Sequence, residues 1–165
     1  MRLLIADDEP LIRRGIKKLV NLSEIGIEEV YEADNGEETL QLFEQYHPEI
    51  VLLDINMPRV DGLTVAKEIK SLSPETKIAM LTGYNYFDYA QKAIRIGVED
   101  YILKPVSKKE ITEIIAKLAH SYQEERKQQT IQKVFQKKVE VIQENSKNDY
   151  HSNMKRYMEE NYTDS

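Results

Sequence analysis

Asp7 and Asp8 follow the apolar run Leu3-Leu4-Ile5, and Asp54 follows Ile50-Val51-Leu52-Leu53. Thr82 follows Ile78-Ala79-Met80-Leu81, and Lys104 follows Tyr101-Ile102-Leu103. Three carboxylates, a hydroxyl and an amine therefore stand where short apolar runs stop. If those runs are parallel strands of one sheet, all five groups meet at the edge where open α/β folds bind ligands. Two unit charges about 4 Å apart interact by about 4 kcal/mol at an effective dielectric near 20, so three carboxylates cannot all ionise cheaply without a cation. Oxygen-only donors select a hard ion, and a site that keeps several waters suits Mg²⁺. Such an ion would also neutralise an incoming phosphoryl group. Asp54, at a strand tip, can then act as a carboxylate nucleophile and form an aspartyl phosphate. Lys104 is a mobile point charge suited to one phosphoryl oxygen, and the Thr82 hydroxyl can donate to another.

Each group alone has an ordinary reading. An Asp-Asp-Glu turn is usually solvated, a strand-terminal threonine satisfies local backbone, and a lysine before proline lies on the surface. Tyr101 reads as a half-buried core aromatic. His47, His120 and His151 have no carboxylate or histidine at ligand spacing and read as surface residues. The joint pattern overrides these readings, because four separate strand ends carry the group types that phosphoryl chemistry needs.

The elements that must position the five groups alternate along the chain. A strand near 2–6 leads to a helix from about Pro10 with the stripe Leu11, Ile12, Ile16, Leu19; proline is tolerated there because its missing donor would be unpaired anyway. Val30-Tyr31 suggests a weaker strand, and Asp34-Asn35-Gly36 is turn chemistry before a helix over 37–45. The run at 50–54 is continuously apolar, as in strands covered on both faces. A helix carrying Leu63, Val65, Ala66 and Ile69 follows, then a strand at 77–82, a helix ended by Gly97, and a strand at 100–104. Five such units predict a doubly wound parallel α/β sheet.

All six glycines and all five prolines fall at or before Pro105, so the last 60 residues form a different architecture. A helix over about 107–122, with Ile111, Ile114, Ile115, Leu118 and Tyr122, should pack on the sheet. After a polar stretch, apolar residues resume at Ile131, Val134, Phe135, Val139, Val141 and Ile142. A helix continuous over 107–145 would be about 60 Å long, and its unpartnered stripe predicts a parallel coiled-coil homodimer. Asn145-Ser146-Lys147-Asn148-Asp149 reads as a break, with a short amphipathic helix after it. The domains expected are 1–122, a helical or coiled-coil linker at 123–148, and the start of a further domain at 149–165.

Residues from Ser107 onward hold 11 Lys/Arg and 10 Asp/Glu, so residues 1–106 carry −7 of the net −6. A body that acidic repels polyanions and does not grip nucleic acid directly. The absence of cysteine excludes disulfide and thiolate chemistry. The N-terminus turns acidic too early for a signal peptide and no apolar stretch reaches bilayer length, so a cytoplasmic protein without membrane contact is expected.

Residues 1–106 resemble the receiver domain of bacterial two-component response regulators. The resemblance rests on Asp7-Asp8-Glu9-Pro10, Asp54-Ile55-Asn56-Met57-Pro58-Arg59-Val60-Asp61-Gly62, Thr82-Gly83 and Tyr101-Ile102-Leu103-Lys104-Pro105. It implies a five-stranded flavodoxin-like sheet of order 2-1-3-4-5 with a long C-terminal helical extension. It implies that Asp54 accepts a phosphoryl group from a sensor histidine kinase. Asp8, Asp54 and the backbone carbonyl of Asn56 would bind Mg²⁺, with Asp7 reaching it through water. Thr82 and Lys104 would hold the phosphoryl group, Tyr101 would turn inward as Thr82 moves, and a cis Lys104-Pro105 bond would aim the lysine. Thr82, Tyr101 and Pro105 would thus form the switch. Residues 154–162 resemble the opening helix of the DNA-binding domain in AraC-type response regulators. DNA would then be bound only through a domain this sequence lacks, in a truncated transcription regulator; otherwise the receiver acts through partners.

Rival functions make distinct demands. Aspartate-nucleophile phosphatases carry a second Asp two residues after the nucleophile, where Asn56 stands here, and need a substrate cap. No enzymatic activity beyond self-phosphorylation and self-dephosphorylation is expected. A flavodoxin-like carrier must cradle a phosphate that Asp7-Asp8-Glu9 would repel, and the Gly-Lys-Ser/Thr signature of P-loop enzymes is missing. A coiled-coil adaptor requires an inert Asp54. Asn56 and Tyr84 flank the path of an attacking water, and the bulk of Tyr84 predicts slow self-dephosphorylation. Tyr84→Ala should speed loss of the acyl phosphate; equal decay of both proteins in a phosphate-release assay would refute the shielding.

Overall fold

The computed structural model describes residues 1–83 and 85–162. Tyr84, on which the shielding argument rests, lies outside the described residues, as do residues 163–165. Five parallel strands form one sheet: β1 (Arg2–Ala6), β2 (Glu29–Ala33), β3 (Ile50–Leu53), β4 (Lys77–Thr82) and β5 (Asp100–Leu103), in the order β2-β1-β3-β4-β5. Helices α1 (Pro10–Leu19), α2 (Leu22–Ile25), α3 (Gly36–Tyr46), α4 (Gly62–Leu72) and α5 (Phe87–Ile96) connect them, and α6 spans Lys108–Tyr162. This is the doubly wound sheet expected of the βα alternation.

The core has two layers because strand side chains alternate between faces. Leu4, Ala6, Val51, Leu53, Ile78 and Met80 face α3, α4 and α5. Leu3, Ile5, Ile50, Leu52, Ala79 and Leu81 face α1 and the start of α6, whose Ile111, Ile115 and Leu118 are buried. β1, β3 and β4 are thus covered on both faces, which explains their unbroken apolar sequence.

Local chemistry starts and stops the helices. Asn35 accepts a hydrogen bond from the Glu38 N–H at the start of α3, and Asp61 accepts from the Thr64 N–H at the start of α4. Gly97, left-handed at φ 92°, ends α5. α2 is an element that the apolar spacing did not predict. It is a single turn stopped by Gly26 at φ 91°, with Leu22 and Ile25 packed against the core, and four residues are too few to show periodicity.

Two compact units divide the chain, Met1–Glu124 and Glu125–Ser165. The expected break at Asn145–Asp149 and the separate short helix after it are not found, since α6 runs through those residues to Tyr162. Asn, Ser and Asp each cost under about 0.7 kcal/mol in an exposed helix, far less than the glycine or proline that would stop one. In the second unit, residues 125–162 are exposed apart from the half-buried Val139. None of the described helices is long and apolar enough to cross a membrane.

Gly62 sets how closely α4 approaches the tip of β3. A Cβ at that position would lie 1.9 Å from the Asp54 carbonyl oxygen and 2.9 Å from the Ile55 Cα. Neither atom can yield, because both are backbone. Gly62→Ala should therefore destabilise the domain by roughly 1–3 kcal/mol, as overpacking does, and chemical denaturation would detect it. An unchanged midpoint would refute the close packing.

Candidate functional site

The five groups lie along one edge of the sheet, because all strands are parallel and each group sits at or just past a strand's C-terminal end. The ladder continues one residue beyond the formal strand ends. The Asp7 N–H donates to the Ala33 carbonyl (3.0 Å), the Asp54 N–H to Ala6 (2.9 Å) and the Lys104 N–H to Thr82 (2.8 Å). These bonds fix the backbone on which the acids and the amine stand.

One carboxylate oxygen from each of Asp7, Asp8 and Asp54 lies within 4.8 Å of the others. Asp7 and Asp54 are buried, at 2% and 5% exposure, whereas Asp8 faces solvent. The Lys104 ammonium lies 2.6 Å from Asp7 Oδ2, 3.4 Å from Asp54 Oδ2 and 3.5 Å from Glu9 Oε1. The Lys104-Pro105 peptide is cis, as the resemblance implied. Thr82 is fully buried at the end of β4. Strand alternation puts it on the face of Met80, which pairs with Tyr101 on β5. Tyr101 is half-buried against that same core layer, and burial, then the neighbouring Tyr89, raises its pKa above the ordinary tyrosine value.

Asn56 and Pro105 are placed by the loops. Asn56 is exposed in the turn after Asp54, where the Met57 and Gly62 N–H groups both donate to the Ile55 carbonyl (3.2 and 2.7 Å). Arg59 in the same loop adopts φ 71°, a conformation rare for a bulky residue, and its guanidinium is held by Glu37 at 2.9 Å. Pro105 lines an apolar groove with Lys104, Leu11, Ile12 and Val106. His47, His120 and His151 are exposed, away from any metal-ligating cluster among the described residues.

Some supporting residues were not legible as such. Arg13, one turn into α1, donates to the Asp7 backbone carbonyl and lies 3.4 Å from Glu32. Glu9 adds a third acid within reach of Lys104. The spacing of Arg13 from Pro10 carries no such signal, whereas Asp61-Gly62 just before a helical stripe has the form of a capping residue followed by a small one.

The electrostatics follow from burial. Asp54 is pushed up to about 6, first by desolvation and then by the charge on Asp7, against the lowering effect of Lys104. Burial alone would depress the Lys104 amine, but its hydrogen bond to Asp7 and the charges of Asp54, Asp7 and Glu9 prevail and raise it. The cluster is thus short of positive charge, and its all-oxygen donor set fits a hard divalent cation.

The fold and this edge define an acidic pocket with one amine at the C-terminal edge of a doubly wound sheet. A family model for the response regulator receiver domain matches residues 3–116, and the chain belongs to that family. An uncharacterized transcriptional regulatory protein of Bacillus subtilis, YesN, is 35% identical over 121 residues, 71% of this chain and 33% of that protein. The transcriptional regulatory protein HptR of Staphylococcus aureus is 33% identical over 127 residues, 77% of this chain and 50% of its own length. Among solved structures, the receiver domain of AraT, a response regulator from Geobacillus stearothermophilus, superposes with a TM-score of 0.71 at 39% identity. That match covers 76% of this chain and 97% of the other. The chain thus spans a third to a half of the length of these curated relatives.

The raised Asp54 pKa has a measurable consequence. Between the unfolded carboxyl value near ~3.9 and the native value of about 6, the folded protein binds the extra proton, so its stability falls as pH rises through that window. In metal-free buffer, Asp54→Asn should stabilise the domain at pH 8 by on the order of 1 kcal/mol and have little effect at pH 4. Thermal melts of both proteins across that range would show the gap opening; a gap independent of pH would refute the desolvated anion.

Proposed function

We propose that this chain is the phosphorylation-controlled switch of a two-component pathway, with Asp54 accepting a phosphoryl group from a sensor histidine kinase. The observation that carries the proposal is the Lys104 amine lying between buried Asp7 and Asp54 beside the three-carboxylate cluster. Asp54 follows β3, the middle strand of the five, flanked by β1 and β4. One of its oxygens bonds to phosphorus as the phosphorus–nitrogen bond to the kinase histidine breaks. Lys104 neutralises one phosphoryl oxygen and the Thr82 hydroxyl donates to another. Asp7, Asp8, Asp54 and the Asn56 backbone carbonyl would hold Mg²⁺, which when bound offsets the negative charge of the acids and the phosphoryl group. Apart from transfer to and loss from Asp54, no catalysis is assigned.

A kinase must bring its histidine to this edge. An apolar groove of about 200 Å³ between α1 and the start of α6 includes Lys104 itself and is lined by Leu11 and Leu19, both exposed. It suits a helix from the donor. On the output side, phosphorylation adds charge and acceptor oxygens beside Thr82. Thr82 shares a sheet face with Tyr101, and the neighbouring α5 and β5 expose Phe87 (74%), Ile94 (73%) and Leu103. A shift at Thr82 would re-shape that apolar surface and favour association of two copies.

The second unit exposes Ile131, Phe135 and Ile142 on one helical face, and pairing with a second copy would cover them. Transcription would be controlled by a DNA-binding domain of the AraC type outside this sequence. That reading is supported by the regulatory names of YesN and HptR. It also draws on the likeness to a two component transcriptional regulator AraC from Clostridium phytofermentans, at TM-score 0.69 and 26% identity.

Incubation with Mg²⁺ and a small acyl-phosphate donor, followed by intact mass measurement, tests the core of the proposal. The expected result is a gain of one phosphoryl group, lost in Asp54→Asn and in excess chelator. An unmodified wild-type protein would overturn it. Sedimentation velocity should show the phosphorylated protein shifting toward dimer.

A further inference from the structure

Between α4 and α5 lies an open cleft of about 810 Å³ that starts at Ile55 and Asn56, beside the Asp54 edge, and extends along both helices to Ser71 and Ile96. Its floor is apolar, built from Ile55, Leu63, Tyr89 and Ile96. Its walls carry Lys67 on α4 and Lys92 and Arg95 on α5, all exposed, with Lys70 near the end of α4. Residues 1–106 hold only twelve Lys/Arg against a net charge of −7, and four of the twelve line this cleft. Lys70 is engaged, at 2.6 Å from Glu99. Lys67, Lys92 and Arg95 make no ion pair among the described residues. Three unpaired cations over an apolar floor, in a body otherwise rich in acid, are a local reversal of charge.

We propose that this cleft is a docking groove for an acidic amphipathic helix of a partner protein. Residues three apart on a helix are neighbours, so Lys92 and Arg95 form a cationic ridge on α5, and Lys67 supplies the unpaired cation of the α4 wall. α4 is about 16 Å long at ~1.5 Å per residue, room for roughly three turns of a guest helix. Apolar residues of the guest at i, i+3 and i+4 spacing would rest on Ile55, Leu63, Tyr89 and Ile96. Its Asp and Glu side chains would flank that stripe and meet Lys67, Lys92 and Arg95. Exposed cations also gather on α1, at Arg14, Lys17 and Lys18, with Lys17 paired to Glu32; an apolar floor flanked by unpaired cations is what favours the α4–α5 cleft for such a helix.

A phosphate-bearing small molecule fits less well. The cations are spread along two helices and do not converge on a point. The N-terminus of α4, which could bind an anion, is closed by the Asp61 carboxylate accepting from the Thr64 N–H, and Asp61 lines the cleft.

A displayed library of random peptides about 16 residues long, roughly four helical turns, is panned on the unphosphorylated full chain. Asp54 takes no part in this measurement, so its outcome is independent of phosphoryl transfer. The expected consensus interleaves Asp/Glu with Leu, Ile or Phe at helical spacing. A synthetic consensus peptide should bind roughly tenfold or more weakly to Lys67→Glu/Lys92→Glu, and equally well to Lys18→Glu, a cation remote from the cleft. All three positions are exposed, so the variants should fold. An uncharged or basic consensus, peptides indifferent to the double substitution, or an empty panning would overturn the proposal. So would inorganic triphosphate or ATP binding that the double variant abolishes in the absence of acidic peptides, which would reassign the cleft to a polyphosphate ligand.

Discussion

Two buried carboxylates share one ammonium at the sheet edge, and the arrangement of the strands determines whether that ammonium can reach them. Neighbouring strands lie about 4.8 Å apart. Lys104 follows β5, two strands from β3 and three from β1, yet its amine lies 3.4 Å from Asp54 and 2.6 Å from Asp7. Only a long flexible side chain closes such a gap, and a planar guanidinium or a short amine would not serve equally well. Without it, desolvation and the charge of Asp7 would push Asp54 higher still, since Lys104 is the counter-effect that holds the acid to about 6. The proton affinity of Asp54 thus depends on this pairing.

The same register also assigns Thr82 and Tyr101 to one face. Thr82 pairs with Leu103 and Met80 with Tyr101, so the hydroxyl and the ring lie two steps apart beneath α4 and α5. A shift of one residue in β5 would send Tyr101 to the opposite layer, against α1 and α6. The exposed apolar residues of α5 and β5 therefore sit above the strand end at which charge would be added. In the proposed switch, chemistry and readout are close because a pleated sheet gives them the same side.

Charge and hydrophobicity are partitioned across the surface. Three acids cluster at the strand tips, three unpaired cations line the α4–α5 cleft, and exposed apolar residues run along the helix of the second unit. In the proposals made above, each would take a different kind of partner: a hard cation with a phosphoryl group, an acidic helix, and another apolar helix. Such separation lets one small domain keep several associations from competing for one surface.

The strand and helix sequence was largely legible from the chain alone, because covered strands read as apolar runs and glycine or proline marks every connection before Pro105 except Val20-Asn21 between α1 and α2. Asp54 and Lys104 could be singled out only jointly, because several separate runs each end in a group that phosphoryl chemistry needs. Less was legible where the signal is short or energetically weak. α2 is a single turn, and the polar residues 145–149 permit a helix as readily as a break. The grip of Arg13 on the Asp7 carbonyl, the approach of Asp54 to Gly62 and the gathering of Lys67, Lys92 and Arg95 into one cleft leave no local pattern at all. Periodicity and breakers are properties of neighbouring residues, so the sequence by itself determined which groups end the strands. Distances, desolvation and charge sharing depend on segments far apart in the chain, and those only the tertiary structure decided.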